Sequence, residues 1–169
     1  MTVAFAAYAT AKKQPFSQKL LGSAAVSLRL YTRRGFAPPF TEISMDSSRI
    51  KREFDFAKQY FSYLELHLTD QGKLYVKAVL KPSSLQYYSV SIYFPNSYPN
   101  EMPTVYVIRP EIDSAPHQYK KGNICYLHPT MWNPGVHNLN FVVLRTAKWL
   151  SKYEVWKQKR IWPGAAISH

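Results

Sequence analysis

Cysteine is almost absent: among 169 residues only Cys125 carries a thiol. One cysteine excludes an internal disulfide and any multi-cysteine metal site. It also makes the reducing cytoplasm the expected setting. No Cys-x-x-Cys or His-x-x-x-His spacing exists, so neither a metal nor another cofactor is expected. No apolar run approaches the roughly 18–20 residues that span a bilayer, so no membrane partner is expected. Acidic residues are scarce as well, 10 against 22 basic ones, which gives a net charge of +12.

What is present reads as one folded domain. An apolar share of 46% with 19% charged residues is ordinary for a globular protein of this length. The charge is uneven. Residues 1–41 hold six basic residues and no acid, so half of the net charge lies in the first quarter of the chain. We expect residues 1–44 to be a flexible basic extension and residues 45–169 to be the domain. The apolar start precedes the lysines, the wrong order for a secretory signal. So basic a chain attracts nucleic acid or acidic proteins. No nucleic-acid motif accompanies the charge, which favours a soluble surface with a basic tail over a nucleic-acid site.

Hydrophobic periodicity predicts an α+β fold. Asp46, Ser47 and Ser48 offer an N-cap, and Ile50, Phe54, Ala57 and Phe61 follow at helical spacing, which predicts a helix over 48–61. Leu64, Leu66 and Leu68 then alternate with polar residues, Asp70-Gln71-Gly72 makes a turn, and Leu74, Val76, Ala78 and Leu80 return. Tyr88, Val90, Ile92 and Phe94 form a third alternating run, and residues 104–109 read as a fourth strand. The four strands make an antiparallel meander. Asn138 caps a closing helix with Leu139, Val142, Val143, Ala147, Leu150 and Tyr153 on its apolar face.

Between the last strand and that helix, residues 110–137 show no period. A long unpatterned segment inside a compact domain is usually functional or disordered. This one is rich in proline, aromatic residues and histidine, which favours an ordered, functional loop. Cys125 lies within it, eight residues after His117 and three before His128. Without further context a lone cysteine is more often an inert buried residue.

The set of motifs resembles the ubiquitin-conjugating enzymes. Tyr93-Phe94-Pro95, Tyr98-Pro99 and Met102-Pro103 resemble that family's signature between its third and fourth strands. His117 and then Gly122-Asn123-Ile124-Cys125 resemble the histidine and Gly-x-Ile-Cys around its catalytic cysteine, and Trp132 with Pro134 resembles the Trp-x-Pro that follows. Pro116, His117, Tyr119 and Pro129, with Trp162-Pro163-Gly164 and His169, bring the chain closer to the prokaryotic branch, over residues 46–169. Its stand-alone proteins are encoded with antiphage systems that signal through cyclic oligonucleotides.

The resemblance implies an acyl carrier. Cys125 would form a thioester with the C-terminal glycine or other small residue of a protein substrate and pass it to a lysine amine. In this branch the carried protein is a cGAS-like nucleotidyltransferase, and an activating enzyme is a further possible partner. Thiolate suits the task as both nucleophile and leaving group. The eukaryotic His-Pro-Asn has no counterpart here, because Gln118 and Tyr119 follow His117. Candidates for the oxyanion donor are the backbone amides of Gly122–Cys125, the Tyr119 hydroxyl, His117 and the Asn123 amide. His128 is a candidate acceptor for the proton of the incoming amine. The competing roles are structural: His117 as a brace for the loop backbone, His128 as a surface polar residue and Trp132 as a packing anchor. Two other functions stay open, a non-catalytic binding module on the same fold and a basic nucleic-acid-binding protein.

Overall fold

The computed structural model describes residues 47–83 and 86–164. The basic extension expected at 1–44, and His169, lie outside the described residues.

Helix α1 (Ser47–Ala57) buries Ile50, Phe54 and Ala57, the stripe its periodicity predicts. It is one turn shorter than expected. The amides of Tyr60 and Phe61 both turn back to the carbonyl of Ala57, each at 3.0 Å, and close the helix there. Phe61 still packs against the core from the turn that follows.

Strands β1 (Leu64–Leu68), β2 (Leu74–Leu80), β3 (Tyr88–Tyr93) and β4 (Thr104–Arg109) form one antiparallel sheet in sequence order. The first hairpin closes where Gly72 takes a φ of 74°, with its amide donating to the Thr69 carbonyl at 2.8 Å. That backbone geometry favours glycine. Alternation puts Val76, Ala78 and Leu80 of β2 in the core, with Val90 and Ile92 of β3 beside them. Val105 of β4 lies opposite Ile92 in register and is fully buried.

Helix α2 (Leu139–Lys159) follows the unpatterned loop. Asn138 caps it, its side-chain oxygen accepting from the Phe141 amide at 3.0 Å. The helix buries Leu139, Val142, Val143, Leu150 and Tyr153 as expected, and Thr146 and Trp149 in addition, while Ala147 is half-buried. Each apolar side chain so buried contributes about 1.5–3 kcal/mol.

One carboxylate ties the two helices together. Oε2 of Glu53 accepts from the Leu139 amide at 2.8 Å and from the Tyr98 hydroxyl, while Oε1 accepts from Arg49 Nε at 2.7 Å. Arg49 also donates to the Pro134 carbonyl at 2.7 Å. Trp132 Nε1 donates to the Pro99 carbonyl at 2.8 Å, so this indole anchors the loop. Burial and the bond to Glu53 push the Tyr98 phenol well above its usual range. These bonds fix the C-terminal end of the segment that carries Cys125.

Candidate active site

Cys125 is the last residue of a small hairpin in the loop. Gln118 and Ile124 pair antiparallel, and the Tyr119 amide donates to the Asn123 carbonyl at 2.9 Å. Gly122 makes the turn possible with a φ of 86°, and its amide donates to the Tyr119 carbonyl at 2.8 Å. The Gln118 side chain braces the turn from within, donating to the Gly122 carbonyl at 3.1 Å. The Ile124 amide donates to the carbonyl of Val105 at 2.9 Å and joins the hairpin to β4.

The hairpin brings Tyr119 back to the sulfur. Its hydroxyl donates to Sγ of Cys125 at 3.4 Å, and the thiol lies 3.6 Å from the Leu127 carbonyl. Burial, together with the bond to Cys125, pushes the Tyr119 phenol up to about 12. The hydroxyl therefore stays protonated, a hydrogen-bond donor, throughout the neutral range. Cys125 itself is partly exposed.

His117 shapes the site through its backbone. It takes the left-handed conformation, φ 59°, which costs a non-glycine residue roughly 1–3 kcal/mol. Its carbonyl accepts from the Cys125 amide at 2.7 Å and from Trp149 Nε1 at 3.0 Å. These bonds hold the strained residue in place and fix the thiol against α2. The imidazole packs on Trp162 with ring centroids 5.2 Å apart.

The sulfur opens into a cleft of about 170 Å³ whose lining includes His117, His128 and Met131 from the loop, and Trp149. His128 caps the short 3-10 turn Pro129–Met131, and its Nδ1 lies 2.7 Å from the Thr130 hydroxyl. It shares the cleft with Cys125.

The amides of Gly122, Ile124 and Cys125 are committed to the carbonyls of Tyr119, Val105 and His117. Asn123 supplies its backbone carbonyl to the turn. The Tyr119 hydroxyl already points at the sulfur.

Sequence reading missed the opposite wall. Arg145, Lys148 and Lys152 of α2 line the same cleft. Arg145 Nε is fixed on the Tyr126 carbonyl at 3.1 Å. Burial, and then repulsion from Lys148 and Arg145, lowers the Lys152 ammonium below its usual range. The available signal was three cations at i, i+3 and i+7, one face of a helix. Among the described residues no group of three His, Cys, Asp or Glu side chains is gathered for a metal. No helix among them is long and apolar enough to cross a membrane.

A helix, a four-stranded meander, a cysteine-bearing loop and a long closing helix define a domain of the ubiquitin-conjugating class, with one accessible thiol at its cleft. The family described as Type II CBASS E2 protein matches residues 53–169, and the chain belongs to that family. Solved structures of similar fold include the yeast Vps23 UEV domain in complex with a Vps27 PSDP peptide. That pair is 17% identical over 65% of this chain and 84% of the other, with a TM-score of 0.48. Human ubiquitin-conjugating enzyme E2 G1 is 21% identical over 60% and 91%, with a TM-score of 0.45. A ubiquitin-conjugating enzyme E2 from Plasmodium falciparum is 24% identical over 62% and 96%, with a TM-score of 0.46. A comparison with curated proteins gives no significant match.

Proposed function

We propose that this protein carries the C-terminal acyl group of another protein as a thioester on Cys125 and transfers it to an amine. The observation that carries the reading is the partly exposed sulfur beside a fixed hydroxyl donor, at the edge of an open cleft. In the loading step the thiolate attacks an activated C-terminal carbonyl carbon. A C–S bond forms, the bond to the activating group breaks, and negative charge passes transiently to the carbonyl oxygen. A free carboxylate does not form a thioester unaided, so the carbonyl is activated first, and an activating enzyme is one candidate for that step.

In the transfer step an amine nitrogen attacks the same carbon. The C–N bond forms, the sulfur leaves as thiolate, and the amine gives up a proton. Tyr119 is assigned to the oxyanion, a role in which one donor is worth about 3–4 kcal/mol. His128 is assigned the amine proton, because an imidazole suits that exchange near neutral pH. His117 is assigned a positioning role through its carbonyl. The Asn123 side chain remains a candidate second donor to the oxyanion.

The family places the protein among type II CBASS proteins. The carried protein proposed here is a cGAS-like nucleotidyltransferase with a small C-terminal residue. The test mixes the protein with a cGAS-like nucleotidyltransferase, an activating enzyme and ATP. A covalent adduct that disappears under reductant is expected. Cys125→Ser should give an adduct that resists reductant, and Cys125→Ala none. An identical adduct with Cys125→Ala overturns the reading.

A further inference from the structure

The wall of the cleft facing the thiol carries charge of one sign. Arg145, Lys148 and Lys152 line it, and among the described residues no carboxylate does. None of the three forms a salt bridge among the described residues, where the pairs are Arg49–Glu53, His67–Glu65 and Arg160–Asp113. Exposed lysines alone would mean little. Here Lys148 is exposed but Arg145 and Lys152 are half-buried, and Lys152 is lowered by burial and by its two cationic neighbours. Its Nζ also lies only 3.2 Å from where a Cβ on Gly164 would stand, so the segment after α2 closes in on it.

The stripe has a direction. Arg145 bonds the Tyr126 carbonyl, so one end adjoins the residue next to the thiol. Lys152 lies seven residues further along α2, about 10 Å at the helical rise of about 1.5 Å per residue. An extended peptide covers that distance in about three residues. A chain whose terminal carbonyl sits on Cys125 and which runs along α2 therefore sets its last several side chains against these cations. A protonated acceptor lysine approaching by the same wall meets repulsion instead.

We infer that this cleft selects an acidic C-terminal tail: the residues just before the acyl group of the carried protein include aspartate or glutamate that pair with Lys148, Lys152 and Arg145. The inference rests on the proposed acyl-carrier function, because it takes Cys125 as the point where the tail ends. It adds the chemistry by which the cleft recognises its cargo. The tail binds before any covalent step, so recognition is readable without the thioester.

The experiment measures binding of fluorescent decapeptides to the full chain by anisotropy at low salt. Each peptide ends in glycine amide, with three glutamates, three glutamines or three lysines among the six residues before it. The glutamate peptide is expected to bind about tenfold more tightly than the glutamine peptide, in keeping with a few partly exposed ion pairs. The lysine peptide is expected to bind most weakly. The Lys148→Glu, Lys152→Glu double variant should reverse that order, and its circular dichroism checks the fold. Arg145 is left intact because it holds the Tyr126 carbonyl. Equal affinity for the peptides, no measurable binding of any, or an unchanged order in the folded double variant overturns the inference. Cys125→Ala should keep the preference for glutamate. A preserved preference with no adduct in the previous test therefore sinks the acyl-carrier reading alone, and an adduct without the preference sinks this one alone.

Discussion

The indole nitrogen of Trp149 donates to the carbonyl of His117 at 3.0 Å, the same carbonyl that receives the Cys125 amide at 2.7 Å. A side chain in the middle of α2 thereby fixes the backbone that holds the thiol. Trp149→Phe removes this donor and keeps an aromatic ring against Tyr153, on which the indole stacks at 5.6 Å. We expect a loss of about 1–2 kcal/mol in urea unfolding, the cost of a buried hydrogen bond. We also expect faster alkylation of Cys125 by iodoacetamide as the loop loosens. Unchanged stability and alkylation would show that this bond does not hold the site.

Tyr119→Phe removes the only hydroxyl bonded to the sulfur among the described residues. Acyl transfer is expected to slow by about a hundredfold, the usual effect of deleting one oxyanion donor. The fold should be intact, because the Tyr119 amide and carbonyl keep their bonds within the hairpin. Single-turnover transfer from preloaded protein gives the rate, and a rate within twofold of the parent would remove Tyr119 from the chemistry.

Alkaline titration reads the same hydroxyl directly. The folded phenol of Tyr119 is raised to about 12 from the ordinary value of about 10. Raised in the folded state, it contributes stability that is fully present below about pH 10 and is lost as pH climbs through about 12. No change in its donor role is expected between pH 6 and 9. The difference in ultraviolet phenolate absorbance between the protein and Tyr119→Phe should therefore show one phenol ionising late. A phenol appearing near pH 10 would mean that the hydroxyl is neither buried nor bonded as described.

Glu53→Gln keeps the shape of the clamp between the helices and removes its charge. Three donors converge on this carboxylate, from Arg49, Tyr98 and Leu139. Loss of charge assistance is expected to destabilise the protein by about 2 kcal/mol, measured by denaturant unfolding.

Most of the fold was legible in the sequence because its elements follow local rules. Val76, Ala78 and Leu80 alternate, Gly72 turns the hairpin, and Asn138 caps α2, each a decision made within a few residues. The first helix was overextended because Phe61 keeps helical spacing while its amide already bonds in a turn. The loop was legible only in part. Motif spacing drew attention to Cys125, His117, Tyr119, Asn123 and His128, but nothing local says that Gly122 folds Tyr119 back onto the sulfur. The bond from Trp149 to His117 spans 32 residues, and the one from Ile124 to Val105 joins separate elements. The cations of α2 were hidden for the same reason: their role depends on which loop the helix faces.

The clamp at Glu53 also bears on how the chain becomes a domain. Its bond to the Leu139 amide joins residues 86 apart. While a nascent chain is still short of α2, Ile50 and Phe54 lack the Leu139 and Val142 surface they share in the finished core. Glu53 then lacks one of its three donors. The sheet can pair strand by strand as it leaves the ribosome, but the thiol acquires its setting only when the final helix arrives. Until then an exposed cysteine and an unfinished core coincide in time, which makes release of the last helix the step at which this chain gains both stability and chemistry.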